Sequence, residues 1–270
     1  MCDWETWCRE MKLIYNNSGF EEIQLNDKSV EIFVKENIEK ELLIHYTGSD
    51  EIQEMFIDIA RSASVNILLK NEGNFKNKLV QKIDIHKDGK AVIAFWEIEE
   101  GNTDIQTDVH LLENGANIIL KSATVASNEK IFKLNCVHHV PYTYSKMKNY
   151  AIVKDNAKFI MEAIGKIEKG AYASESYQAT RVLTLTDQHQ SHVTPVLLID
   201  ENDVKASHAT TLGQPDENQL YYLQSRGLTR KQALGLLTLG YLTPISELFK
   251  DGRYSIELKE EIEKRVGLHD

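Results

Sequence analysis

Residues 195–242 read P-V-L-L-I-D-E-N-D-V-K-A-S-H-A-T-T-L-G-Q-P-D-E-N-Q-L-Y-Y-L-Q-S-R-G-L-T-R-K-Q-A-L-G-L-L-T-L-G-Y-L. The character of the chain changes in the middle of this stretch. Before Gly213, Val196-Leu197-Leu198-Ile199 is a short apolar run closed by the polar turn Glu201-Asn202-Asp203, the signature of a strand. After Gly213, Asp216-Glu217-Asn218-Gln219 and Thr229-Arg230-Lys231-Gln232 both read as capping boxes, an N-cap oxygen with a reciprocal Gln three residues on. The first opens a short helix carrying Leu220 and Leu223, which Gly227 stops. The second opens a helix with Ala233, Leu234, Leu236, Leu237 and Tyr241, and Pro244 lies just beyond it. A last amphipathic helix is expected from Ser255 to Val266, with Leu258, Ile262 and Val266 on one stripe. The expected plan is a β-rich region over 1–213 and a helical region over 214–270, with no flexible linker between them.

Upstream, short alternating or β-branched runs recur: Ser29 to Val34, Leu42 to Tyr46, Val65 to Leu69, Ala91 to Trp96. Glu51 to Ala60 is the exception, because Ile52, Met55, Phe56 and Ile59 recur at helical spacing; it reads as a short helix or an irregular excursion. From residue 87 onward the turns become regular at Asp88-Gly89, Glu100-Gly101, Glu113-Asn114-Gly115, Asp155-Asn156 and Lys169-Gly170, several of them about 14 residues apart. Short strands at even spacing suit a sandwich, a barrel or a β-helix solenoid, and periodicity alone leaves the three open.

The composition narrows the function classes. The chain of 270 residues is 42% hydrophobic and 27% charged, which suits an ordinary globular protein with a sizeable core. Its net charge of −10 argues against nucleic acid or an anionic membrane as partner, since both attract basic surfaces. No apolar stretch is long enough to span a bilayer, and Met1-Cys2-Asp3-Trp4-Glu5 is not the start of a signal peptide. The three cysteines, Cys2, Cys8 and Cys136, make no disulfide framework, so a reducing cytoplasm is expected.

The common catalytic motifs are missing. There is no phosphate-binding G-x-x-x-x-G-K-[ST], no G-x-G-x-x-G after a strand, no G-x-S-x-G elbow, no H-E-x-x-H and no paired C-x-x-C. In Cys136-Val137-His138-His139, a strand would put Cys136 and His138 on one face and His139 on the other. Two ligands do not hold a metal, so a half-buried Cys and locally bonded histidines are expected there. His189 and His192 read as solvated residues of a polar turn. Arg226, near a helix end, reads as a cap or an ion-pair partner.

The opening stretch also resembles a family pattern: a strand P-x-L-x-I, then D-D-V-K-x-S-H-G-A-T-x-G, then Q-x-F/Y-Y-L-x-S-R-G and an alanine-bearing helix. This is the pattern of the SufB/SufD family of iron–sulfur cluster assembly proteins. It is matched at Pro195, Ile199, Asp203, Val204, Lys205, Ser207, His208, Thr210, Gly213, Gln219, Tyr222, Leu223, Ser225, Arg226, Gly227 and Ala233. Weaker likeness continues upstream through Ala173, Ser176, Gln178, Leu183 and Leu185, and before residue 130 no residue-by-residue match is found. Family members usually carry a longer N-terminal region with a helical portion, so the chain reads as short at that end.

The resemblance implies a mainly β fold, a right-handed parallel β-helix core with a C-terminal α-helical segment. It implies a heterodimer with a SufB-like subunit through the last β-helix strands, and docking of the C-terminal helices on SufC, an ABC-type ATPase. The missing phosphate loop agrees, since the energy source would be the partner. His208 is followed by Ala209 rather than the glutamate of the SufB pattern, and no cysteine follows Cys136, so the resemblance is to SufD. It places His208, with Ser207 and Lys205, at the cluster-assembly interface, and Tyr222, Leu223, Arg226 and Gly227 at the ATPase-docking surface. His208 would be the one metal ligand, on a transient iron–sulfur cluster; a neutral imidazole binds iron and replaces Cys in some such centres. Some SufD members have a cysteine two residues before this histidine, where this chain has Ala206. No catalytic residue and no permanently bound cofactor are expected. The competing readings are a stand-alone homodimer that has lost the cluster role and a carbohydrate-active β-helix enzyme, which would need clustered acids in an aromatic groove.

Overall fold

The strands fall into two sets by parity. In the computed structural model, residues 11–25, 27–47, 52–73, 76–245, 248–249, 252 and 254–266 are described. Strands β1 (Met11–Tyr15), β3 (Ser29–Val34), β5 (Ile52–Ile59), β7 (Asn77–Ile85), β9 (Thr103–Leu111), β11 (Glu129–His138), β13 (Lys158–Ile167) and β15 (Gln190–Ile199) form sheet one, in that order. Strands β2 (Gly19–Leu25), β4 (Glu39–Tyr46), β6 (Ser64–Asn71), β8 (Lys90–Glu97), β10 (Asn117–Ala126), β12 (Tyr144–Val153), β14 (Glu175–Thr184) and β16 (Lys205–Gly213) form sheet two. Every pairing is parallel. Each rung therefore contributes one strand to each sheet, and the architecture is a parallel β-helix. The regular turn spacing seen in the sequence is half a rung.

Alternation fills the lumen. Along sheet one, Ile57, Ile83, Val109, Cys136, Gly165 and Leu197 are register neighbours and form one inward row. Phe95, Phe132 and Phe159 pack edge-on and tilted within the same core, with ring centroids 6.4 and 6.1 Å apart. The segment with helical spacing is strand β5. Gln53, Met55, Ile57 and Ile59 point inward, whereas Glu54, Phe56 and Asp58 point outward between β3 and β7. The helical spacing of Ile52, Met55, Phe56 and Ile59 arises because residues from both faces happen to be apolar. Glu51 lies outside the described residues, as do Cys2 and Cys8.

Two devices hold the corners. Where sheet one turns into sheet two, Asn37, Ser62, Asp88, Tyr142 and Ala173 all adopt left-handed backbone with φ of 54° to 61°. Each donates its N–H to a carbonyl of the next rung, for example Asn37 to Arg61 at 3.1 Å and Ala173 to Asp203 at 2.6 Å. At the other corner a fully buried polar centre joins several rungs. Glu97 accepts from Tyr46, from Asn71 at 2.8 Å and from Thr103 at 2.9 Å, and Lys130 Nζ lies 3.4 Å from it and 2.9 Å from Thr103. Burial drives the Lys130 ammonium below its ordinary pKa, and the Glu97 carboxylate opposes that shift.

The helical segment folds back over the outer face of sheet two. Helix α1 (Glu217–Ser225) follows β16, then come α2 (Arg230–Leu242), a 3-10 turn (Thr243–Ile245) and α3 (Ser255–Val266). Thr229 forms both arms of its capping box, whereas Asp216 makes a simple cap on the Asn218 N–H. Gly227, with φ of 97°, ends α1 as expected. A second apolar cluster joins the outward Leu43, Leu68, Ala94, Trp96, Ala123 and Ile152 to Leu242, Ile245, Leu258 and Ile262. Polar clamps fix α3 to the early rungs: Lys70 to Glu257 (3.0 Å) and to Glu261, and Trp96 Nε1 to Glu261 at 2.9 Å. Tyr254 adds a bond to Glu22 at 3.0 Å. No helix among the described residues is long and apolar enough to cross a membrane.

Candidate functional site: the open final rung

Each inner strand of the β-helix has a neighbour on both sides, but β15 pairs only with β13 and β16 only with β14. The last rung is therefore an open end. From Lys205 to Leu212 every residue of β16 is exposed, and β15 has no buried residue. An open parallel edge presents a row of backbone donors and acceptors that another strand can complete.

The sequence placed Lys205, Ser207 and His208 together here, and the structure divides them between two faces. Parallel register pairs Lys205 with Glu175, Ser207 with Tyr177 and His208 with Gln178. Gln178 is an inward, buried residue, so His208 stands over the lumen while Lys205 and Ser207 face outward. Lys205 pairs with Glu175 at 2.8 Å, which also accepts the Tyr177 hydroxyl at 2.9 Å. Lys205 is thereby held above its ordinary pKa, first by this hydrogen bond and then by the charge of Glu175.

Beneath His208 lie Gln178 and then the apolar Met147 and Leu120, and the column under Thr210, two residues along, is polar. Ser122, Asn149, Thr180 and Thr210 are register neighbours; Ser122 donates to Asn149 at 3.0 Å and Asn149 to Thr180 at 3.3 Å. On the other side of the Gln178 column, His138 lies between Thr143 (2.7 Å) and Ser145 (2.8 Å), and Ser145 donates to Ser176 at 3.0 Å. Burial pushes the His138 imidazole down to about 4, with the neighbouring His139 acting in the same direction. Cys136 and His138 do share a face, and His139 faces out, bonding Glu168 at 2.9 Å and His110 at 2.9 Å. Cys136 is fully rather than half buried, and burial raises its thiol far above the ordinary range. Among the described residues no three His, Cys, Asp or Glu side chains converge on a possible metal position.

The second group sits on α1. Tyr222 is 57% exposed; Arg226 is the C-cap of α1, through its backbone N–H to the Leu223 carbonyl at 3.1 Å, and its guanidinium lies 5.2 Å from the Tyr222 ring centroid. Tyr222 and Leu223 line a hollow of about 390 Å³ with Asn218, Gln219 and Leu237. Gly227 closes the helix beside it. Sequence reading named Gln178 only as part of the family spacing and missed the polar column and the Glu97–Lys130 centre; polar residues at inward positions of regular strands were the available signal.

The core-domain model of the SufBD proteins, described as "SUF system FeS cluster assembly", matches residues 14–241. The chain belongs to the SufBD family. The match carries the likeness far upstream of residue 130, over nearly all the rungs. SufD of Bacillus subtilis is 33% identical over 183 residues, 67% of this chain and 42% of that protein. A SufBD family protein of Mycobacterium tuberculosis is 30% identical over 130 residues, 48% of this chain and 15% of the relative. SufD of Escherichia coli is 24% identical over 130 residues, 48% of this chain and 30% of the relative. The chain thus spans less than half the length of these SufBD relatives.

Proposed function

We propose that this SufBD chain is a SufD-like scaffold subunit for iron–sulfur cluster assembly rather than a catalyst. The observation that carries the reading is His208, held over the polar end of the lumen on a rung that lacks its neighbour. A SufB-like subunit completes that rung, edge to edge, and the nascent cluster forms at the junction as cargo, with thiolates from the partner and one imidazole from His208. A neutral ring nitrogen is a suitable ligand for iron. Helices α1 and α2 dock a SufC-type ATPase through Tyr222, Leu223, Arg226 and Gly227. An exposed aromatic ring stacked on an Arg beside an apolar hollow has the composition of an interface anchor. A reducing cytoplasm suits this chemistry.

Co-purification with a SufB-like subunit and an ABC-type ATPase, followed by mass determination, tests the assembly. His208→Ala should leave the complex intact and lower cluster yield; an unchanged yield would make His208 structural. The open edge also fits a second copy of this chain. A lone homodimer that ignores both partners would overturn the heteromeric reading.

A further inference from the structure

The open rung holds a buried side chain with one end unused. Gln178 is 4% exposed, and its Nε2 donates to the Val196 carbonyl at 3.0 Å. That bond fixes the orientation of the amide, because only the nitrogen end can donate to a carbonyl. The other end, Oε1, is buried and has no hydrogen-bond partner. Room for the amide is made by Gly165. A Cβ at that position would lie 2.5 Å from Ser176 Oγ, 3.1 Å from Gln178 Nε2 and 3.1 Å from a Leu197 methyl. The lumen is thus shaped around Gln178, yet leaves its oxygen unmatched. A buried acceptor in that condition is destabilising and calls for a partner.

The register neighbour of Gln178 on the last strand is His208. Parallel strands lie about 4.8 Å apart, so in-register side chains on one face are within reach of each other. His208 is exposed, and among the described residues no rung lies above it. Both ring nitrogens can carry the proton, and which one does is set by the hydrogen bond that the other groups offer.

We propose that Gln178 is the positioning residue of His208: its Oε1 accepts the N–H of one imidazole nitrogen and leaves the other bare, facing out of the open end. The role of this contact in cluster chemistry rests on the function proposed above; the contact itself does not. It gives the partner subunit's edge a ligand atom whose tautomer is already chosen. Outer hydrogen-bond partners of this kind commonly orient metal-binding histidines.

The test uses the full chain with isotope-labelled histidine and long-range proton–nitrogen NMR spectra, which report the tautomer of each ring. His208 is assigned from the signal lost in His208→Gln. In the unsubstituted chain the His208 ring should show one tautomer. Gln178→Leu should convert it to a mixture of both, and Gln178→Glu, which keeps an acceptor oxygen at the same reach, should restore one. If Gln178→Leu does not fold, Gln178→Asn replaces it, since its oxygen falls one methylene short. A His208 ring that is already mixed in the unsubstituted chain, or indifferent to loss of the Gln178 oxygen, overturns the proposal. No iron, sulfide or partner is present in these spectra. A tautomer that responds to Gln178 beside an unchanged cluster yield in His208→Ala would therefore sink the functional reading and leave the contact standing.

Discussion

At the residue scale, the buried charges of the Glu97–Lys130 centre are held by partners. Lys130 and Glu97 have no exposed surface, and Glu97 is further held by Tyr46, Asn71 and Thr103. Removing one member of such a pair strands the other charge away from water. Lys130→Ala should cost about 3–5 kcal/mol in chemical denaturation. Replacing Lys130 and Glu97 together by Met and Gln should cost much less, and equal losses would show that the pair does not act as a unit. His138 gives a pH signature. Its folded pKa is depressed to about 4 from 6.5, so the unfolded chain takes up the proton first. The neutral ring's stabilisation is whole above pH 6.5 and is lost as pH falls toward about 4, by up to about 3 kcal/mol. Denaturation across that range should show one proton's slope in the unsubstituted chain that His138→Gln lacks.

At the scale of elements, the outer face of sheet two shows what the sequence held and what it hid. The runs Leu42-Leu43-Ile44 and Ala94-Phe95-Trp96 are apolar at consecutive positions, which marks strands buried on both faces. The structure supplies the cover in the C-terminal helices, whose apolar sides meet Leu43, Leu68 and Trp96. The strands and helix boundaries after residue 195 were legible because turn and cap residues act locally. The winding was not legible from periodicity. Register spacing between successive rungs varies from 19 residues (Met11 to Val30) to 32 (Phe159 to Ser191), so no fixed repeat exists to detect. His208 was found by likeness alone; its inward direction depends on pairing with β14, which lies 30 residues upstream (Gln178 to His208). Glu261 ties α3 to two strands through Lys70 and Trp96. Glu261→Ala should speed backbone hydrogen exchange in α3 while leaving the β11–β13 rungs protected. Equal exchange in both variants would mean that apolar packing alone holds the helix.

On the scale of the whole molecule, the solenoid has local contacts between rungs, and its last rung pairs on one side only. Stability in such a stack is a sum of neighbour terms, so the last rung, bonded on one side only, opens at the lowest cost. Hydrogen exchange should therefore be fastest in β15 and β16 among the strands of the last four rungs, and a bound edge-to-edge partner should slow it there first. Protection that appears only on α1 when partners are added would place the contact on the helices instead. Substituting Tyr222 and Arg226 together should abolish ATPase binding and leave the circular dichroism of the β-helix unchanged; a retained complex would overturn that assignment.

The fold-back of the helical segment has a mechanical consequence. One end of the segment continues directly from β16, while the other is clamped through Glu257, Glu261 and Tyr254 to Lys70, Trp96 and Glu22 on early rungs. A tug on α1 or α2 is thus shared between two moorings. At the open end it peels one strand, breaking ladder bonds in turn. Along the face of sheet two it shears many contacts at once, which resists far better. The strap turns a load that would unzip the weakest rung into one borne along the length of the barrel-like stack.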